Sequence, residues 1–202
     1  MNNRMKTKIT AQDIADYLIS YAQSKDIKIT PLEVQKYLFY AQGWHLAVSD
    51  SVLFDDKFEA WTHGPVIKKI YGRFKKFERN NIDEKIEMPE IPIDIMAFLK
   101  KFVIDQYFHV SSSELWKMVH NEEAYKIARG TLPEDKPSNS ELDESIMYKS
   151  FKERYKEDTF DENEIDDIDD ELLNDICESL NEFRRGEVSS YEEVFGHPQP
   201  GF

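Results

Sequence analysis

Residues 30–49 read TPLEVQKYLFYAQGWHLAVS, and this stretch predicts a long helix with a well-marked start. Thr30 can cap the first turn, and Pro31 suits the first helical position because the N–H that it lacks has no partner there. Glu33 can return a hydrogen bond to the cap. Mostly apolar side chains then recur at three- and four-residue steps, which indicates one buried helical face: Val34, Tyr37, Leu38, Ala41, His45 and Val48.

A hydroxyl residue followed three positions later by an acidic residue marks further helix starts. This pattern occurs at Thr10, at Ser111 and at Ser138. A Pro-containing linker over residues 88–92 should precede another helix, and the helix after Ser138 should end near Tyr155. The pattern therefore predicts a mainly α-helical domain.

Residues 53–62 interrupt the helical pattern. They are too short and too rich in turn residues for a helix, so we expect a small β-hairpin there. Gly64-Pro65 should then start the next helix.

Composition excludes several classes of protein. Hydrophobic residues make up 40% of the chain, which is enough for a real core. The single cysteine, Cys177, rules out an internal disulfide and a multi-cysteine zinc site, and its acidic surroundings disfavour a nucleophilic thiolate. The sequence has no apolar run of about 18 residues and no apolar signal core near its start, so we expect a cytoplasmic protein and no membrane partner.

Charge divides the chain in two. Residues 1–150 carry a net charge of −2, whereas residues 151–202 contain 5 Lys and Arg against 17 Asp and Glu, a net charge of −12. We therefore predict a globular domain over residues 9–155 and an acidic C-terminal extension over residues 156–202. Within the extension, an apolar stripe at three- and four-residue steps predicts an amphipathic helix: Ile165, Ile168, Leu172, Ile176, Leu180 and Phe183.

Two blocks of sequence resemble the Panacea (SocA-like) family. The first block contains YAQGWH at residues 40–45, FD at 54–55, EAWTHGPV at 59–66 and a tyrosine five residues later. The second block runs from Ser113 to Arg129, with Tyr125 where the family has Trp. The motif residues, which we expect to form the scaffold, are Gln35, Lys36, Tyr40, Gln42, Gly43, Trp44, His45, Glu59, Trp61, Gly64, Pro65 and Tyr71.

The resemblance implies an antitoxin. Panacea-type proteins belong to toxin–antitoxin pairs and phage-associated loci, and at least one kind delivers its toxin to a protease. Residues 179–194 also have a loose similarity to the endings of addiction antitoxins, whose acidic tails wrap basic toxins. We therefore expect the candidate toxin-binding residues in the extension: Ile165, Ile168, Leu172, Ile176, Leu180, Phe183, Tyr191 and Phe195.

The polar and aromatic motif residues admit two interpretations. Trp44, His45, Trp61 and His63 can pack in the core with hydrogen-bonded polar ends, as buried side chains of this kind usually do. Alternatively, His45, Glu59 and His63 can converge on a metal ion and support a metal-dependent hydrolase. The sequence lacks the paired His or Cys spacing typical of zinc sites, so we expect core packing, no cofactor and no catalysis.

Residues 68–79 contain six Lys or Arg against Glu78 and predict one basic helix. This helix can be a solvated face, a DNA contact in a regulator of the protein's own locus, or an internal site for the acidic extension. The excess of acid elsewhere argues against nucleic acid as the main partner. We expect a protein that neutralises a cognate toxin by direct binding, with transfer of toxin to a host protease as an alternative.

Overall fold

The computed structural model describes residues 8–158 and confirms a mainly helical fold with a small antiparallel hairpin. Helix α1 (Ala11–Ser24) and helix α2 (Pro31–Ser49) both begin with the predicted capping boxes, at Thr10 and Thr30. None of the helices in this part of the chain is long and apolar enough to cross a membrane.

The hairpin lies later in the sequence than predicted. Strands β1 (Glu59–Trp61) and β2 (Gly64–Val66) pair antiparallel, so Gly64 and Pro65 belong to a strand and the prediction that they start a helix is wrong. The preceding residues are held as a loop by Gln42, whose side chain bonds the Phe54 carbonyl at 3.0 Å and the Leu53 N–H at 3.0 Å.

The basic segment is not one helix. Helix α3 spans Lys68–Phe74 and gives way to a 3₁₀ turn at Lys75–Phe77, after which Glu78 has a φ of 52°. Such a left-handed backbone ends a helix.

The remaining helices surround α2. Helix α4 (Ile93–Leu99) runs through a π turn (Lys100–Ile104) into the short α5 (Asp105–Tyr107). Helices α6 (Ser112–Asn121) and α7 (Glu123–Arg129) follow, the first capped by Ser111 as predicted, and α8 spans Glu144–Asp158.

The helix start predicted at Ser138 is wrong. Residues 140–142 are extended beside β1 instead, with the Ala60 N–H donating to the Ser140 carbonyl at 2.8 Å and the Leu142 N–H donating to the Phe58 carbonyl at 2.9 Å. Pairing with the hairpin therefore outweighs the local capping pattern, and α8 begins five residues later than the pattern places it.

Helix α2 is buried on nearly every side, not on the single face that its periodicity predicts. Its residues are buried without a gap from Glu33 to Ala47 because α1, α3, α6, α8 and the π turn all pack against it. At the contact with α8, the Phe151 ring lies against Gly43, and a Cβ on that glycine would fall within 2.6 Å of three ring atoms.

Candidate functional site

An open groove lies on the face formed by the hairpin, α3 and the first turns of α2 and α6. It has a volume of about 1060 Å³, and its lining is largely apolar. Leu32, Trp61, Tyr71 and Trp116 supply the largest of its apolar side chains. The described residues do not fill it.

Two consecutive residues of α2 hold the hairpin that forms one wall of this groove. The Gln35 side chain accepts from the Ile67 N–H at 2.8 Å and donates to the Ile67 carbonyl, while the Lys36 ammonium donates to the His63 carbonyl. Gly64 has a φ of +106°, and a Cβ there would meet the Lys36 amine. The close approach of lysine to the turn therefore requires glycine at this position.

Lys36 is buried beneath the turn, and desolvation lowers its pKa to about 7. Transferring an ammonium group out of water disfavours the charged form unless a counter-charge lies close by. The amine can still donate to the His63 carbonyl when it is neutral. Lys36 therefore joins α2 to the hairpin by a hydrogen bond in either protonation state.

A hydrogen bond and ring contacts fix the aromatic side chains that line the groove. The Trp61 indole N–H donates to Glu59 at 2.8 Å, and its ring meets Tyr71 edge-on with 4.8 Å between centroids. On the opposite wall, Trp116 stacks on His120 at 3.8 Å. The Trp61 ring is thus held by a hydrogen bond and a ring contact, and the Trp116 ring by its stacking on His120.

A second set of contacts, made by Tyr125 and His120, joins the hairpin to helices α6 and α7. The Tyr125 hydroxyl donates to the Trp61 carbonyl at 2.7 Å, and the His120 ring nitrogens lie 2.7 Å from the Trp116 carbonyl and 3.1 Å from the Thr62 carbonyl. Burial lowers the pKa of His120, and the nearby charge of Lys36 adds to this effect. Tyr125, the departure from the family pattern, thus bonds the backbone of the hairpin.

Residues 34–126, which include both walls, match the family described as "Antitoxin SocA-like, Panacea domain". This part of the chain is similar to SocA-like Panacea domains. Antitoxin SocA of Caulobacter vibrioides (strain NA1000 / CB15N) is 36% identical over 66 residues, which are 33% of this chain and 35% of the relative. The match thus spans about a third of the length of that curated relative. No solved structure matches the chain.

The motif residues of the Panacea domain divide between the groove and the interior. Tyr40, Gln42, Gly43, Trp44 and His45 all lie inside the molecule. The Trp44 indole N–H donates to the Tyr107 hydroxyl at 2.8 Å, and Tyr40 stacks on the same tyrosine at 4.0 Å.

Core packing was predicted for Trp44, His45, Trp61 and His63, but the structure does not bury all four. Trp44 and His45 are buried, and His45 has a pKa lowered by burial while its ring bonds the Ser51 carbonyl at 2.8 Å. His63 is exposed at the hairpin turn and Trp61 is half-buried in the groove wall, so the core interpretation is wrong for His63. The turn places these residues at the surface because Lys36 anchors its backbone rather than its side chains.

The structure does not support the metal-dependent hydrolase. No group of three or more His, Cys, Asp or Glu that could hold a metal ion occurs within residues 8–158. Glu59 is engaged by the Trp61 indole, and His45 bonds a loop carbonyl beside the Phe98 ring. The three proposed ligands therefore do not form a site.

The basic segment along one edge of the groove is partly neutralised. Arg73 forms a two-contact ion pair with Asp16 at 2.6 and 2.8 Å, and Lys76 pairs with Glu84. Within the described part of the chain, no ion pair engages Lys69, Lys75 or Arg79. The segment keeps a positive edge, but a smaller one than its sequence indicates.

The candidate toxin-binding residues of the extension lie outside the described residues, as does the predicted helix that carries them. The same holds for Cys177, Tyr191 and Phe195.

Sequence reasoning missed the groove and the role of Trp116. The sequence of α6 contains one indication of it. Leu115 and Val119 form the buried face of this helix, and Trp116 and His120, each one position later, form a second face with the same four-residue spacing. A second aromatic face on a polar helix indicates a side chain that serves another surface.

Proposed function

We propose that this protein is an antitoxin that neutralises a cognate protein toxin by direct, stoichiometric binding. The observation that carries the proposal is the match of residues 34–126 to an antitoxin family. The open groove supports it, since its aromatic residues Trp61, Tyr71 and Trp116 belong to that range, and an aromatic surface held in place loses little conformational entropy on binding a protein partner. Binding of this kind needs no cofactor and no catalytic step.

The Panacea domain would serve as the platform, and the extension would supply the variable contacts. Its apolar stripe over residues 165–183, with Tyr191 and Phe195, would cover or distort the active surface of the toxin. The net charge of −12 in residues 151–202 would speed encounter with a basic toxin through electrostatic steering.

Co-expression tests this proposal. Each protein encoded beside this one is produced alone and together with it, and we expect one of them to stop growth alone and to be tolerated when the pair is made. The two proteins should then co-purify at a one-to-one ratio. A toxic neighbour that stays toxic beside a folded antitoxin, or a locus whose products are all harmless, would overturn the proposal.

A pair of matched variants tests the interface. Leu172→Asp with Ile176→Asp places charge on the apolar stripe, and we expect it to abolish rescue because a desolvated carboxylate in an interface is costly. Asn174→Asp with Asn181→Asp adds the same charge away from the stripe and should leave rescue intact. Equal rescue by both variants would move the interface elsewhere on the protein.

Delivery of toxin to a host protease is a further step that the same complex could support. It predicts that the toxin's half-life in cells falls when this protein is present, whereas simple inhibition leaves the toxin level unchanged or higher.

A further inference from the structure

The groove offers an aromatic surface that the described residues leave open. Trp61, Tyr71 and Trp116 come from three separate elements, and 41% of the Tyr71 side chain is exposed. Its volume of about 1060 Å³ lies at the upper end of the range for small-molecule sites, roughly 300–1,000 Å³. An open trough of this size suits a length of extended peptide.

Positive charge borders this aromatic surface. Lys68 and Arg79 line the groove, and Lys69 follows Lys68 in α3 with no ion pair among the described residues. The first turns of α2 and α6 also line it, and helix N-termini carry partial positive charge. Two carboxylates also line the groove: Glu78, and Glu59, which accepts from the Trp61 indole at 2.8 Å and lies 4.0 Å from the Lys68 ammonium. The groove thus suits a peptide with aromatic anchors, and the basic segment at its edge, where Lys69, Lys75 and Arg79 have no ion pair among the described residues and outnumber Glu78, favours carboxylates beside those anchors.

The chain itself contains a segment of this chemistry. Residues 191–195 read YEEVF, two aromatic residues that flank two glutamates, and residues 186–202 contain no Lys or Arg. We propose that the groove binds Tyr191–Phe195 of the same chain in the free protein. The aromatic rings pack against Trp61 and Trp116, and Glu192 and Glu193 face the basic edge.

The length of the chain permits this contact. The 32 residues between Asp158 and Tyr191 can span about 110 Å when extended, whereas a domain of this size has a radius of gyration of about 15 Å. A segment on the same chain as a site within its reach is held near that site at an effective concentration of order millimolar. A groove of modest intrinsic affinity is therefore occupied most of the time.

This contact goes beyond the proposed function and does not depend on it. It assigns Tyr191 and Phe195 to the protein's own groove before a toxin arrives, and a toxin that uses the same two side chains must displace them. Its test therefore needs no toxin, so its failure leaves the antitoxin proposal untouched.

Indole N–H signals in a ¹H–¹⁵N correlation spectrum of the full-length protein test the proposal directly. The chain has three tryptophans, of which Trp61 and Trp116 line the groove and Trp44 lies in the core as an internal reference. Tyr191→Ser with Phe195→Ser should shift the signals of the two groove tryptophans and leave that of Trp44 in place. Phe160→Ser with Phe202→Ser removes the same number of aromatic rings from the extension and should leave all three unchanged.

Charge and concentration separate the remaining outcomes. Reversal of Lys69, Lys75 and Arg79 to Glu, or addition of about 0.5 M salt, should produce at least part of the same shift, since salt screens exposed charges over a few ångströms at that strength. The proposal is overturned if the indole N–H signals of Trp61 and Trp116 do not shift in the variant Tyr191→Ser with Phe195→Ser. Shifts that depend on a tenfold dilution of the protein also overturn it, because they would show a second copy as the occupant.

Discussion

The described part of the chain contains two aromatic clusters, and their difference separates the motif residues buried in the core from those left exposed at the surface. In the core cluster, Trp44 meets the Phe151 ring edge-on at 5.2 Å, and its indole N–H is bonded to Tyr107. In the groove cluster, Trp61 meets Tyr71 edge-on at a similar 4.8 Å, yet 41% of the Tyr71 side chain remains exposed. The ring contacts are alike, but only the core cluster is closed by α8.

The closing element explains the difference. Helix α8 covers the core cluster with Phe151 and is fixed by Arg154, which forms a two-contact ion pair with the buried Glu122 at 2.9 and 3.1 Å. No helix of the described region covers the groove cluster in the same way. One sequence motif thus builds both a stable centre beside the C-terminal half of α2 and an accessible surface beside its first turns.

Truncation of Trp44 should have the largest effect on stability. We expect Trp44→Ala to lower the free energy of unfolding by about 3–5 kcal/mol, because it empties a closed aromatic cluster and removes the hydrogen bond from Trp44 to Tyr107. Trp61→Ala should cost about 1–2 kcal/mol, since its ring is half-buried. Urea unfolding of both variants measures the difference, and equal losses would contradict the division between the clusters.

The buried Lys36 predicts that the stability of the protein depends on pH. The pKa of Lys36 is about 7 in the folded protein, below its ordinary value of 10.5, so the folded state penalises its protonation. The full penalty is present below pH 7 and is relieved as pH rises towards 10.5. Lys36 therefore makes the protein more stable with rising pH across this window.

Lys36→Met isolates this effect. It removes the titrating group, and the slope of one proton is about 1.4 kcal/mol per pH unit. We expect the stability of the wild type relative to this variant to rise by about 2–3 kcal/mol between pH 7 and 9.5 in urea unfolding. A difference that is flat with pH would show that the amine reaches solvent.

Glycine-to-alanine substitution should have opposite signs in the two regions. Gly43→Ala puts a methyl group within 2.6 Å of the Phe151 ring, so we expect a loss of about 1–3 kcal/mol from overpacking. Gly72→Ala, in α3 beside the groove, meets no atom within 4 Å and should gain about 0.4–1 kcal/mol by restricting the unfolded chain. Thermal unfolding compares the two, and a destabilised Gly72→Ala would show that α3 is packed more tightly than its exposure indicates.

The sequence predicts the helix starts well because capping is local. At Thr10, Thr30 and Ser111 the residues that decide the start lie within one turn of each other. It misplaces the hairpin and the start of α8 because those depend on distant partners: Gln42 fixes the loop before β1, and β1 pairs with residues 140–142.

The groove escapes sequence reasoning for the same physical reason. Its walls join Trp61 and Tyr71 to Trp116, more than 40 residues further along the chain, and no local pattern shows that they meet. The motif marks which residues belong together but not which of them remain exposed. Only the position of α8 over the core cluster decides that.

Substitution of Tyr71 should have the smallest effect on stability and the clearest effect on the groove. The side chain is 41% exposed, so Tyr71→Ser should change the free energy of unfolding by less than about 0.5 kcal/mol. If the groove holds Tyr191–Phe195, loss of one aromatic contact worth about 1 kcal/mol should weaken that contact about fivefold. Limited chymotrypsin digestion followed by mass spectrometry measures this, because cleavage after Tyr191 and Phe195 should then accelerate by a similar factor.

Ile127→Ser is the control: it alters a residue that is 53% exposed but lies outside the groove lining, and it should leave the cleavage rate unchanged. Equal cleavage rates in the wild type and both variants would show that the groove does not protect this segment.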